Sequence, residues 1–287
     1  MPKGNTLAPG KKSPLVVSFT DATGKTLSTA GQGHGTIPWS ALNVSATVVQ
    51  INQSGVVKMP ETPSQSDGNT GVVTIAVPGK PDLTAQVQVF PRYDIAYRAH
   101  YSGADGLSGN DGVNGIDGTD GMNGSMDPNN PTAGSNGTDG TDGTPGGNGS
   151  DGNDGPPVLI RVAKWPGSRP LLEVSVQPSM GLEKWFLLDP NGGSITVTSD
   201  GGSGGSAGRG GRGGKGGSGG IGGFGQPNGL SGRDGLNGTD GMRGSDGAPG
   251  QITMIYDPAV APYIHAMHLS SFFHPPVLLE QPVKPLW

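Results

Sequence analysis

Glycine recurs at every third position in four stretches, Gly103 to Gly124, Gly134 to Gly155, Gly202 to Gly223 and Gly229 to Gly250, each holding eight in-frame glycines over 22 residues. A period of three fits neither the 3.6-residue turn of an α-helix nor the two-residue alternation of a strand. It fits polyproline-II geometry, in which three residues make one turn and all the glycines line one edge. Along that edge no Cβ keeps a second backbone away. Equal run lengths add a second constraint, because rods exchange hydrogen bonds along their whole length only if their ends coincide.

The other two slots of each triplet differ between runs. Run one carries Ala104, Leu107, Asn110, Val113, Ile116, Thr119 and Met122 after its glycines, then Asp105, Ser108, Asp111, Asn114, Asp117, Asp120 and Asn123. One edge is bare, one mostly apolar and one Asp/Asn. Run four repeats this with Leu230, Leu236 and Met242 on one edge and Asp234, Asn237, Asp240 and Asp246 on the other, and GTDGM occurs at 118–122 and again at 238–242. An internal duplication follows, a β block and then a rod pair, twice. Run three has Gly204, Ala207, Gly210, Gly213, Gly216, Gly219 and Gly222 in its third slot. Two bare edges predict an interior rod. Its remaining edge carries Arg209, Arg212 and Lys215, a basic ladder that either faces the Asp ladders of neighbouring rods or stays solvated.

Connectivity predicts direction. At ~3.1 Å per residue each run spans about 65–70 Å, whereas the loop 125–133 reaches roughly 30 Å and the loop 224–228 less. Runs one and two are therefore expected to be antiparallel, as are three and four, with both loops at one tip. Asn129, Asn130 and Gln226 in those loops are candidate binding or assembly residues.

The remaining chain reads as β structure. Runs at Leu15–Phe19, Val44–Ile51, Gly71–Val77, Leu83–Phe90 and Arg92–Arg98, separated by turn signals, predict an immunoglobulin-like β-sandwich over 14–102, after an extended arm at 1–13. Between the rod hairpins at 103–155 and 202–250, the segment 156–201 predicts a β-meander with strands at Val158–Trp165, Leu171–Gln177, Lys184–Leu188 and Ser194–Ser199. The segment 251–287 predicts one strand, Gln251–Tyr256, and then an extended apolar tail rich in proline. Phe272, Phe273, Leu286 and Trp287 are too apolar for a free tail and are candidate docking residues, on the chain's own β block or on a neighbouring copy.

Composition excludes several classes. A net charge of -5 carries no sign of a nucleic-acid partner, and the absence of cysteine removes disulfides and thiolate chemistry. No apolar run approaches the ~20 residues that span a bilayer, and no apolar h-region of a secretory signal follows the lysines of residues 1–13. An extracellular or cell-surface location is expected, its signal absent or already removed, with a virion as the alternative.

The triplets resemble collagen, but collagen chains run parallel and these turn back, with Pro145 and Pro249 alone stiffening the triplet slots. The antiparallel pattern resembles more closely the polyglycine-II bundles of the snow flea antifreeze protein, of phage long-tail-fibre tips and of the glycine-rich domain of Obg GTPases. The resemblance covers about half the chain and implies an all-β plus polyglycine-II fold: an N-terminal β-sandwich, four antiparallel polyglycine-II helices and an inserted β-meander. No G-x-x-x-x-G-K-[ST] loop is present, so the GTPase activity is not implied, and the antifreeze cysteines are missing.

Ordering glycine is entropically expensive, on the order of 100 kcal/mol over four runs, and a lone rod has no internal hydrogen bonds. Partners are therefore expected, the β blocks or other copies. Catalytic signals are weak. His265, His268 and His274 lie near one another without an acidic cluster, and His34 and His100 read as surface residues. Gly146-Gly-Asn-Gly-Ser-Asp151 matches part of a calcium-binding nonapeptide without its following apolar residue. No catalytic residue, cofactor or metal is assigned. The expectation is a non-enzymatic structural protein that self-assembles into an extracellular fibre, sheath or surface layer, with itself as main partner. The alternative is an adhesin presenting the tip loops to a cell-surface ligand, and a minor one is an ice-binding protein using the hydroxyl edge Ser135, Thr138, Thr141 and Thr144.

Overall fold

A computed structural model describes residues 1, 4–30, 36–270 and 275–287. The fold is mostly β, arranged as several sheets, and its longest helical element among the described residues is the nine-residue 3-10 helix Pro258–Ala266. The N-terminal part forms three small sheets. Thr6–Leu7, Lys80–Pro91, Gly71–Val77 and Asn43–Thr47 make one, Lys12–Pro14, Val56–Lys58 and Gln50–Ile51 a second, and Ser18–Thr20 with Thr26–Ser28 a hairpin. Local chemistry sets their turns. Gly79 supplies a φ of 71° between Val77 and its register partner Lys80, and the Asp21 carboxylate accepts the N–H groups of Thr23 and Lys25. Val57, Met59, Val73 and Val89 are fully buried between these sheets.

The strand expected at Arg92–Arg98 runs Ala96–Ser102 and leaves the N-terminal sheets. It pairs in parallel with Ser194–Asp200, which pairs in parallel with Met267–Ser270. A second sheet has the order Lys184–Leu188, Leu172–Pro178, Val158–Lys164, Ile252–Tyr256 and Val277–Glu280. Three of the four strands predicted as a meander are consecutive and antiparallel. The fourth, Ser194–Asp200, crosses to the other sheet. One core joins the two sheets, with Ile195 and Val197 from the first meeting Ile160, Val162, Leu172, Val174 and Ile252 from the second. The predicted strand at Gln251–Tyr256 is present and parallel to Val158–Lys164.

The tail differs from the extended segment expected of it. Asp257 caps a helical turn by accepting the Ala259 N–H, Pro258 fills the first position where no N–H is needed, and a 3-10 helix follows. Two short strands then return to the two sheets.

All four glycine runs leave from or enter this β base. Run one continues from Ala96–Ser102 and run three from Ser194–Asp200; run two leads into Val158–Lys164 and run four into Ile252–Tyr256. The register of the sheets continues into the runs. Ala96 faces Ser194, 98 positions on, and the Asp105 carboxylate accepts the N–H of Ser203 at the same separation. Val158 faces Ile252, 94 positions on, and Asn136 accepts the N–H of Leu230 at that same separation.

Candidate functional site: the glycine-run bundle, its tip and its base

Every in-frame glycine of the four runs donates its N–H to a carbonyl of a neighbouring run, a tip loop or the strand Ser194–Asp200. Run one bonds to run three in parallel, as Gly112 N–H to Arg209 O at 2.7 Å, and run two to run four in parallel, as Gly140 N–H to Arg233 O at 2.9 Å. Runs one and two are antiparallel, as expected, with Ser135 N–H on Met122 O and Asn153 N–H on Ala104 O. Runs three and four are antiparallel too, with Gly229 N–H on Gly220 O and Gly247 N–H on Gly202 O. Runs two and three also bond to each other, so each of these two touches all three other runs.

Run three is interior, as its two bare edges predict. A Cβ on Gly211 would lie 2.0 Å from Val113 O in run one, and a Cβ on Gly213 2.0 Å from Gly235 O in run four. The terminal glycines are equally confined: a Cβ on Gly103 would meet Asn153 O, on Gly124 and Gly223 the loop carbonyls of Thr132 and Ser125, and on Gly134 Gly220 O. For Gly155, Gly202, Gly229 and Gly250 the atoms met are Asp200 O, Ala104 O, Ser135 O and Pro156 O.

A second set of donors is satisfied by side chains. Asp105, Asp111, Asn114, Asp117, Asp120 and Asn123 of run one accept N–H groups of run three, and Asn136, Asp139, Asp142, Asn148, Asp151 and Asp154 of run two those of run four. Asp234, Asn237, Asp240 and Asp246 of run four return the favour to run three. The Gly204 N–H, and then the Arg243 guanidinium, hold the Asp246 carboxyl below the usual range. The Asp ladders therefore face peptide N–H groups rather than the basic ladder. Arg209, Arg212 and Lys215 are exposed, and no ion pair among the described residues includes them. The hydroxyl edge has a similar task, since Ser135, Thr138, Thr141 and Thr144 accept the N–H groups of Met122, Thr119, Ile116 and Val113.

The apolar edges stay uncovered. Leu107, Val113, Ile116 and Met122 of run one are 70–82% exposed, and Leu230, Leu236 and Met242 of run four 73–74%. At the tip each loop is tied to the end of a neighbouring run, the loop 224–228 by Gly134 N–H on Pro227 O and the loop 125–133 by Gly223 N–H on Thr132 O. Asn129, Asn130 and Gln226 are all exposed there, beside Met126 and Phe224. Asp127 orders the longer loop by accepting the N–H groups of Asn129 and Asn130.

At the base the tail docks on its own chain. The Leu286 N–H reaches the Glu173 carboxylate at 2.6 Å, and Trp287 packs edge-on against Trp185 with ring centroids 5.9 Å apart. Asp67 of the N-terminal part accepts the indole N–H groups of Trp165 and Trp287. Leu172–Pro178 is thereby covered on both faces, Leu172, Val174 and Val176 toward the core and Glu173 toward the tail. Burial raises the pKa of Glu173, the Leu286 N–H opposes that, and the nearby Asp67 charge adds to it. Phe272, Phe273, His274 and His34 lie outside the described residues. His265 and His268 are exposed, and no group of three or more metal-ligating side chains occurs among the described residues.

No family model matches this chain, and no curated protein or solved structure matches it. Among the described residues, no helix is long and apolar enough to cross a membrane.

Proposed function

We propose that this chain is a non-enzymatic structural protein in which four polyglycine-II-type rods form a stiff spacer, holding the paired loops 125–133 and 224–228 at the end away from the β base. The observation that carries this reading is the unbroken register, 98 residues between Ala96–Ser102 and Ser194–Asp200 and between runs one and three, 94 in the other layer. A bundle that is the direct continuation of two sheets has no hinge at its root. Its tip therefore moves with its base, which is what presentation of a ligand-binding end requires. Exposed Met126, Phe224, Asn129, Asn130 and Gln226 are the contact residues in this reading, and the partner is a cell-surface ligand. Exchanging both loops for short glycine-serine turns should leave folding intact and abolish attachment to the host surface; unchanged attachment would remove the tip from the account.

A second reading is assembly of several copies into a fibre, sheath or layer. The exposed apolar edges of runs one and four favour it, since rows of this kind mark contact surfaces. The docking of Leu286 and Trp287 on the chain's own base leaves those edges as its main support. Sedimentation of the wild type beside a variant with Leu107, Ile116, Leu236 and Met242 changed to serine tests it. A monomer at micromolar concentration in both would leave the spacer reading alone.

A further inference from the structure

The N-terminal sheets carry an open cleft of about 680 Å³ lined by Pro38, Trp39, Ser40, Leu42, Val44, Ile51, Asn52, Gln53 and Ser54. That volume is in the range of small-ligand sites. Its construction is specific. The tight turn 52–55 is built by Asn52, whose Oδ1 accepts the N–H groups of Ser54 and Val56, and is closed by Gly55 at a φ of 73°. Gly55 lies against the indole of Trp39, where a Cβ would come within 1.9 Å of Cε2. The turn thus seats the indole and places Asn52, Gln53 and Ser54 beside it.

The chemistry of the lining is narrow. None of the nine residues is charged, so a phosphate, a carboxylate or an ammonium group would find no counter-charge. Apolar surface comes from Trp39, Leu42, Val44 and Ile51, and polar surface from Ser40, Asn52, Gln53 and Ser54. Among the described residues, no internal hydrogen bond uses the Trp39 Nε1–H, the Asn52 Nδ2, the Gln53 amide or the hydroxyls of Ser40 and Ser54. An aromatic surface with neutral amide and hydroxyl groups at its side matches a ligand that has apolar C–H faces and a hydroxylated rim.

We propose that this cleft binds a neutral saccharide, with Trp39 packing on the sugar ring and Gln53 and Asn52 bonding its hydroxyls. It lies in the N-terminal part and is independent of the tip loops, so the protein would carry a glycan contact at its base. The test uses the full chain against a panel of neutral di- to tetrasaccharides of glucose, galactose, mannose and N-acetylglucosamine, by titration calorimetry and ligand-observed NMR. Binding of at least one member with a Kd below about 10 mM is expected. Trp39→Ala should weaken it at least about tenfold and Gln53→Ala about threefold. Gln53 is exposed, so its variant should keep the wild-type melting curve and decides the matter if Trp39→Ala fails to fold. Absence of binding by every sugar, a preference for a proline-rich peptide over all of them, or undiminished binding in folded variants would overturn the proposal.

Discussion

Alanine at Gly211 separates a close-packed bundle from a set of independent coils, because the two predict opposite signs. The φ of Gly211 lies outside the left-handed region, so alanine suits the backbone itself. In a loosely packed coil the substitution would stabilise by ~0.4–1 kcal/mol through the unfolded chain. In the bundle the new Cβ would lie 2.0 Å from Val113 O, and reaching an ordinary 3.4 Å contact needs a separation of 1.4 Å from a backbone atom that cannot rotate away. Beside it are the bonds Gly112 N–H to Arg209 O at 2.7 Å, Gly115 N–H to Arg212 O at 2.7 Å and Arg212 N–H to Asn114 Oδ1 at 2.8 Å. Stretching these three by that amount breaks them, at ~1 kcal/mol each. After the unfolded-state gain is subtracted, the net loss is about 2–3 kcal/mol. With an unfolding entropy of ~2.1 cal/mol/K per residue over 287 residues, this lowers Tm by about 3–5 °C if the chain melts as one unit. Ser218→Ala, at an exposed slot of the same run, should stay within ~0.5 kcal/mol. Calorimetry of both variants reads the difference. An unchanged or raised Tm in Gly211→Ala would refute close packing of runs one and three.

Three further outcomes follow from named contacts. Asp117→Ala removes the acceptor of the Lys215 N–H and should destabilise by ~1 kcal/mol, whereas Asp117→Asn should be nearly neutral, because Asn114 and Asn123 fill the same role in that column; chemical denaturation compares the two. Glu173 is buried with its pKa raised, so the fold binds its proton more tightly than the unfolded chain and its contribution falls as pH rises above the ordinary carboxylate range. Glu173→Gln should therefore raise Tm at pH ~7–8 and leave it near wild type at pH ~4, a pattern that melting curves across pH would show. Trp287→Ala loses the Trp185 contact and an indole bond to Asp67 and should cost about 1–3 kcal/mol, read as increased proteolysis of the tail.

What could be read from the residues was what local spacing encodes. The triplet period and the short loops specified four equal runs, their antiparallel pairing and the interior place of run three. Non-local pairing left no such trace. Ser194–Asp200 looks like the fourth strand of a meander, yet it lies beside Ala96–Ser102, because run three has to start level with run one. The Asp and Asn columns resembled partners for Arg209, Arg212 and Lys215. Peptide N–H groups lie closer to them and have no other acceptor, and an exposed ion pair offers less than a satisfied backbone donor. Proline in 258–266 argued for an extended tail, but proline just inside a capped start is compatible with a helical turn. The Trp39 cleft had no motif at all, being assembled from a turn and neighbouring strands.

Amide hydrogen exchange along the runs tests the bundle most directly. The in-frame glycine N–H groups of runs two and three, every third residue from Gly137 to Gly152 and from Gly205 to Gly220, all have backbone acceptors and should exchange at rates slowed as strongly as those of Val158–Lys164 in the base. The N–H groups of Asn129 and Gln226 at the tip should exchange far faster. Glycine amides exchanging at unprotected rates while the β base stays protected would contradict the account, leaving the four runs as flexible linkers between sheets.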